Sequence, residues 1–203
     1  MRDPASFFAA LRPSPFDRLV AAQVTGLESL LASMDAAGWP LAYAAYGLAT
    51  AAHETARTMQ PIREKGGEAY LKRMYDIEGA RPAKARELGN DRPGDGVRYA
   101  GRGYVQLTGK ANYRKAGIRL CLDLVGEPDL ALKPEIAARI LVWGMAEGWF
   151  SGRRLSAFLP ASGRATFEMF RRARRIVNGT DRDAEIAVLA LQFQAALAAG
   201  GQA

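Results

Sequence analysis

Between Pro40 and Pro61 the chain runs Leu41-Ala42-Tyr43-Ala44-Ala45-Tyr46-Gly47-Leu48-Ala49-Thr50-Ala51-Ala52, with no charged side chain before Glu54. A helix that is apolar on nearly every side is stable in water only when other elements enclose it. The pattern predicts a buried central helix over residues 41–58, stopped by Pro61, with Glu54 in its last turns. A shell of further helices is then required, and the sequence supplies one. Val20, Val24, Leu27, Leu30, Leu31 and Met34 recur at helical spacing in residues 17–37, with Gly38 and Pro40 as the stop. Residues 67–76, 82–88, 110–123, 134–149, 164–177 and 182–199 read as helices too, and residues 7–11 as a short turn. Residues 89–98, rich in Gly, Asn, Asp and Pro, read as a loop. Residues 99–107 are the best extended candidate. The expected fold is mainly α, with one small β element beside an active-site cleft.

The length of 203 residues suits a single domain, 1–203, folded as two lobes with a cleft between them. Residues 1–40 are expected to pack on it as an N-terminal helical segment, with no separate wall-binding domain. No apolar run reaches the ~18 residues of a membrane-span candidate, so no stable membrane insertion is expected. The N-terminus lacks the layout of a signal peptide, which makes synthesis in the cytoplasm the default. One cysteine, Cys121, excludes an intramolecular disulfide and reads as a core thiol among leucines. One Cys and one His leave too few ligands for a zinc site. The net charge of +7 favours acidic partners without choosing among them. Part of it is the cluster Arg171, Arg172, Arg174 and Arg175, which reads as a solvated helix face able to attract an anionic surface.

Glu54 and Glu64 are candidates for paired-carboxylate chemistry. Hydrolysis of a glycosidic bond by inversion needs one carboxyl to protonate the leaving oxygen. It needs another to activate a water, roughly 6.5–9.5 Å away. The apolar run before Glu54 would shield its carboxyl from water, as suits a proton donor. Glu64 lies beyond Pro61, on a different element, and is the candidate base. Glu54 could equally be a helix-end residue paired with Arg57, and Glu64 a loop charge near Arg63 and Lys65. Glu68 and Glu78 compete with Glu64. In Tyr99-Ala100-Gly101-Arg102-Gly103-Tyr104 the glycines let backbone approach a ligand, and the tyrosines offer flat faces to sugar rings. Gln106, Thr108 and Asn112 could hydrogen-bond hydroxyls, N-acetyl groups or the attacking water. His53 reads as an orienting neighbour or a hydrogen-bonded core residue. No Gly-x-Ser-x-Gly elbow and no Walker-type phosphate loop occurs.

These residues resemble family 19 of the glycoside hydrolases, the chitinase and phage-endolysin family with a lysozyme-like α-rich fold. His53-Glu54-Thr55 is similar to the family's His-Glu-Thr/Ser. Residues 99–108, with Asn112-Tyr113 after them, are similar to its Tyr-x-Gly-Arg-Gly-x-x-Gln-Leu-Ser/Thr segment. Arg175-Ile176-Val177-Asn178-Gly179 resembles its late Ile-Asn-Gly segment. The matches extend over residues 44–185. The resemblance implies that Glu54 is the general acid and that Thr108 holds the nucleophilic water. It implies that Gln106, Asn112 and Asn178 contact sugar while Tyr99 and Arg102 shape the groove. Glu64 stands at the interval of the endolysin-like branch, whereas plant chitinases place the second glutamate nearer Glu78. Ala56-Arg57 replace the glycines expected after His-Glu-Thr.

The lone cysteine, against the disulfides of plant members, favours the phage or prophage endolysin branch. That branch implies cleavage of the β-1,4 bonds of peptidoglycan glycan strands by inversion. It implies no cofactor, a monomer, and action in the periplasm after holin-mediated release from a bacterial host. A chitinase acting on N-acetylglucosamine polymers or chitin-like oligosaccharides is the runner-up. A basic, non-catalytic cell-wall or nucleic-acid binding protein is the alternative from another class. No nucleic-acid recognition motif supports that alternative, and no nucleic-acid partner is expected.

Overall fold

The structure is a computed structural model that describes residues 2–12, 14–177 and 179–202. In chain order its regular elements are α1 (Pro4–Leu11), α2 (Ala21–Ala36), α3 (Leu41–Glu54), β1 (Ile62–Arg63), α4 (Glu68–Tyr75), α5 (Pro82–Glu87), α6 (Asp95–Arg98), β2 (Arg102–Gly103), α7 (Lys110–Leu120), α8 (Pro134–Glu147), α9 (Phe167–Ala173) and α10 (Asp183–Ala199). Short 3₁₀ turns occupy Pro128–Leu132, Leu155–Ala157 and Arg174–Ile176. The fold is mainly α with one two-stranded sheet, as the sequence indicates. Two compact units make it up: Met1–Gln60 with Leu141–Ala203, and Pro61–Ile140. The N-terminal helices belong to the first.

In the first unit α10 packs on α3, α1 and α9. Helix α3 is the predicted central helix, and nearly all of its residues from Leu41 to Ala52 are buried. Gly47 permits close packing: a Cβ there would meet Met34 Cε at 2.7 Å and Trp39 Cζ3 at 2.8 Å. Facing α3, α10 buries Ile186, Leu189, Ala190, Phe193 and Leu197, a spacing that lines one side of a helix. Gln194 is buried there without penalty, since its amide accepts from Ala165 N at 2.7 Å and donates to Ala165 O at 3.0 Å.

Several boundaries differ from the sequence expectation, among them the expected loop 89–98, which carries the one-turn helix α6. The predicted turn at residues 7–11 is the two-turn helix α1, started by Pro4 and by the Asp3 carboxylate accepting from Ser6 N. Helix α3 stops at Glu54, not near residue 58. The Thr55 hydroxyl donates to Ala51 O at 2.7 Å and accepts from Met59 N at 3.2 Å, which stabilises the exit turn. The extended candidate 99–107 contributes only two strand residues, because positive φ at Gly103 (89°) and Gln106 (52°) folds it back on itself. Cys121 is exposed, with left-handed backbone after α7, and is not the core thiol expected.

In the second unit α4 packs against α5 and α6, and β1 pairs antiparallel with β2, Ile62 opposite Gly103 and Arg63 opposite Arg102. Two buried polar residues join α4 to the 90–98 segment. Asn90 Nδ2 donates to Tyr75 O at 2.9 Å while its Oδ1 accepts from Lys110 N at 2.9 Å. Asp76 accepts from the backbone N–H groups of Gly94, Gly96 and Glu78 at 2.8, 3.1 and 3.2 Å.

Burial pushes the Asp76 carboxyl upward. The three backbone N–H donors and the charge of Lys72 outweigh that and hold it below the ordinary 3.8. A carboxyl depressed in the folded state contributes stability above its unfolded pKa, and that contribution is lost as pH falls through the folded one. Asp76→Asn is therefore expected to lower the unfolding free energy by about 1–3 kcal/mol at neutral pH. The deficit relative to wild type should shrink between about pH 5 and pH 3 in urea denaturation. A deficit that does not change with pH would show that the charge plays no part.

Candidate active site

Glu54 is the last residue of α3, and its side chain is directed by an ion pair that local sequence does not announce. Arg174, on the 3₁₀ turn after α9, donates from NH1 to Glu54 Oε1 at 2.8 Å and from Nε to Asp181 O at 3.0 Å. The Arg174 side chain is 2% exposed and that of Glu54 20%. The apolar shield expected around Glu54 is thus joined by a guanidinium. Arg57, the partner considered from sequence, reaches Pro15 O instead. Among the described residues Oε2 of Glu54 has no hydrogen-bond partner, so it is the oxygen available to a ligand. The basic cluster is not one solvated face: Arg174 is buried, Arg171 pairs with Glu168, and Arg172 and Arg175 are exposed.

After Glu54 the chain reverses through Ala56 (φ 49°), Arg57 (φ 64°) and Met59 (φ 53°). These are left-handed conformations that cost a non-glycine residue roughly 1–2 kcal/mol each. The departure from the expected glycines therefore lies where the backbone does call for glycine-like geometry. His53 is half-buried, and desolvation holds its imidazole below the ordinary 6.5, against the raising influence of Glu54. It lines a cavity of about 510 Å³ with Arg57, Arg182 and Gln192.

The second unit holds Glu64, directly after β1. Its backbone N–H donates to Gly101 O at 2.8 Å, and its Oε2 accepts from Gly101 N at 3.1 Å. Its Oε1 accepts from the Tyr75 hydroxyl at 2.8 Å. Of the competing carboxylates, Glu68 is exposed and Glu78 pairs with Lys72 at the surface. Beside Glu64, the Thr108 hydroxyl donates to Gln106 O at 2.8 Å, which leaves its oxygen free to accept. Gln106 Nε2 donates to Ile62 O and Gly103 O, and Asn112 Nδ2 donates to Thr108 O at 2.7 Å.

Gly101 shows how tightly these groups converge. A Cβ there would stand 2.8 Å from Gln106 Oε1, 3.0 Å from Glu64 Oε2 and 3.2 Å from Thr108 Oγ1. Three polar atoms therefore pack closely over the Gly101 Cα, where any side chain would displace them. Gly101→Ala is expected to leave the fold nearly as stable, since φ at this position is not positive. Any activity of the site should fall on the order of 10²-fold, from displacement of the carboxylate and hydroxyl. Thermal unfolding and turnover measured on the same sample check this.

Not every expected sugar contact faces outward. Tyr99 and Tyr104 are buried, so neither offers a ring face to a saccharide. Tyr99 donates to Val125 O at 3.2 Å. Arg102 is buried and braces the hairpin: its Nε meets Asp129 Oδ1 at 2.8 Å, and NH1 donates to Arg98 O, Ala100 O and Tyr113 Oη. Asp129 also pairs with Arg63. Burial pushes the Tyr113 hydroxyl up to about 12, against the opposing influence of Arg102. Besides bracing the hairpin, Arg102 lines a cavity with Arg63, Arg98 and Asp129. Asn178 lies outside the described residues. Among the described residues no group of three His, Cys, Asp or Glu is placed to hold a metal. No helix among them is long and apolar enough to cross a membrane.

Several known proteins share this architecture. Chitinase C from Streptomyces griseus HUT6037 superposes with a TM-score of 0.59 at 20% identity, covering 99% of this chain and 77% of that one. A bacterial family 19 chitinase whose structure and enzymatic properties differ from plant enzymes gives 0.55 at 20% identity, over 97% and 94%. The fold is that of the family 19 chitinases. At the sequence level, Chitinase 8 of Oryza sativa subsp. japonica is 47% identical over 53 residues, 25% of this chain and 20% of that protein. Chitinase 11 of the same plant is 52% identical over 46 residues, 22% and 18%. The chain spans about a fifth of the length of these curated relatives. No protein-family model matches it.

These likenesses overturn the phage or prophage endolysin branch expected from the sequence. The relatives are plant and bacterial chitinases, so the muramidase reading and peptidoglycan glycan strands as substrate are withdrawn. The lone cysteine misled. A count of cysteines carries no information about which polymer is bound.

Proposed function

We propose that the protein is a chitinase, hydrolysing the β-1,4 bonds of N-acetylglucosamine polymers by an inverting acid–base mechanism. The observation that carries this reading is the clustering of Glu64 Oε2, Thr108 Oγ1 and Gln106 Oε1 over the Gly101 Cα. A water bound beside these groups can give one hydrogen to the Glu64 carboxylate and the other to Thr108 Oγ1. Its lone pair is then directed at the anomeric carbon. Glu64 removes the first proton as the new C–O bond forms.

The general-acid role falls to Glu54: its protonated Oε2 gives a proton to the leaving glycosidic oxygen, and Arg174 stabilises the carboxylate that results. Asn112, hydrogen-bonded to the Thr108 carbonyl, fixes the segment that carries the water-binding hydroxyl. Likeness to plant and bacterial chitinases supports the choice of polymer.

The test is incubation of the purified protein with a chitin hexasaccharide. Shorter N-acetylglucosamine oligomers are expected, with turnover strongly reduced but still measurable in Glu64→Gln. A wild-type protein that leaves the hexasaccharide intact would overturn the reading.

A further inference from the structure

A carboxylate that must take a proton from one particular water needs a fixed direction as well as a suitable neighbourhood. Glu64 has three rotatable side-chain bonds and follows a strand of only two residues, so its own element does little to hold it. Gly101 secures one oxygen and the backbone: N–H to carbonyl one way, N–H to Oε2 the other. That latch still lets the carboxyl rotate about the Oε2 contact. The second oxygen is fixed by a different element, through the Tyr75 hydroxyl at 2.8 Å.

Tyr75 is in turn immobilised from behind. It is the last residue of α4, and its carbonyl accepts from the buried Asn90 side chain. The next residue, Asp76, is buried and takes the N–H groups of Gly94, Gly96 and Glu78. Gly96 lies so close that a Cβ on it would stand 2.5 Å from Asp76 N and 2.7 Å from Tyr75 C. The phenol is thus attached to a part of the second unit tied down by several independent hydrogen bonds. Burial, with the charge of Glu64 beside it, pushes the Tyr75 hydroxyl well above its ordinary value, so it remains a donor throughout the working range.

We propose that Tyr75 is a positioning residue for the water-activating base: its hydroxyl, held by the Asn90–Asp76 block, sets the orientation in which Glu64 meets the nucleophilic water. The inference rests on the chitinase reading and adds a residue to it. In this role Tyr75 acts through Glu64. With Oε1 engaged by Tyr75 and Oε2 by Gly101, the carboxylate is held beside Thr108 and Gln106. Without the phenol oxygen, Glu64 samples rotamers in which the proton cannot be taken.

Four proteins test it on the chitin hexasaccharide: wild type, Tyr75→Phe, Glu64→Gln and the double variant. Phe removes one oxygen and keeps the ring, so folding should survive, and a thermal melt of each sample verifies that. Tyr75→Phe is expected to lower kcat by roughly 10–100-fold with KM nearly unchanged, the loss of one charge-assisted hydrogen bond at the base. In the Glu64→Gln background the same change should have no further effect, because two residues acting as one unit are not additive. Wild-type kcat retained in Tyr75→Phe would overturn the proposal and leave the chitinase reading standing. Equal losses in both backgrounds would also overturn it, by showing a purely structural role. Inactive wild type, or undiminished Glu64→Gln, would remove the chitinase reading itself and the role of Tyr75 with it.

Discussion

Glu54→Gln should abolish hydrolysis while leaving oligosaccharide binding in place. The expected drop in kcat is about 10²–10⁴-fold, the usual contribution of a positioned proton donor. The substitution removes the proton to be delivered but keeps an oxygen that can accept from Arg174 Nη1, so the buried guanidinium still has a hydrogen-bond partner. Binding of a chitin oligosaccharide, followed by calorimetry, should stay within a few-fold of wild type because ground-state contacts are untouched. A parallel loss of binding and turnover would instead make Glu54 a structural residue. If Glu54 and Glu64 serve one reaction, the double variant Glu54→Gln, Glu64→Gln should be scarcely worse than either single change.

The largest expected effect on stability belongs to Arg174. It is almost wholly buried, carries a full charge, and finds its compensation in Glu54 and the Asp181 carbonyl. Taking one member from a buried pair leaves the other uncompensated, which typically costs about 3–5 kcal/mol. Glu54 keeps a fifth of its side chain in solvent, so Arg174→Met should sit at the low end, about 3 kcal/mol. That corresponds to a fall in Tm of roughly 6–12 °C for a protein of this size. Turnover should fall as well, since Glu54 loses what directs it. Adding Glu54→Gln to Arg174→Met should recover part of the lost stability, because the stranded carboxylate is then gone. A double variant less stable than Arg174→Met would contradict an ion pair as the source of the effect.

The fold was largely legible because its strongest signals are periodic. An apolar run such as 41–52 cannot be anything but an enclosed helix, and residues 183–199 carry the matching face. Boundaries failed where a single residue decided them: Asp3 with Pro4 made a helix of an expected turn, and the Thr55 hydroxyl ended α3 early. The extended candidate failed because two positive φ angles outrank β propensity.

In the site, the segment from Gly101 to Asn112 was readable since its groups lie within a dozen residues of one another. Glu64 differs from Glu68 and Glu78 in three dimensions by its hydrogen bonds to Gly101 and Tyr75, which no local pattern announces. Arg174 looked like one arginine of four on an open face, and its partner lies 120 residues away. No local pattern reports such a contact. Tyr75 was invisible for a similar reason, since a tyrosine at a helix end has many uses and its meaning comes from the carboxylate it meets. The choice of polymer was misjudged because it depends on groove shape, which neither carboxylate encodes.

The inverting reaction is tested most directly by following the anomeric protons by ¹H NMR while the wild-type protein cuts a chitin hexasaccharide. A water delivered by Glu64 attacks the face opposite the leaving oxygen, so the new reducing ends should appear first as the α-anomer and then mutarotate. New ends that appear first as the β-anomer would mean that configuration is retained and that Glu64 does not activate the attacking water.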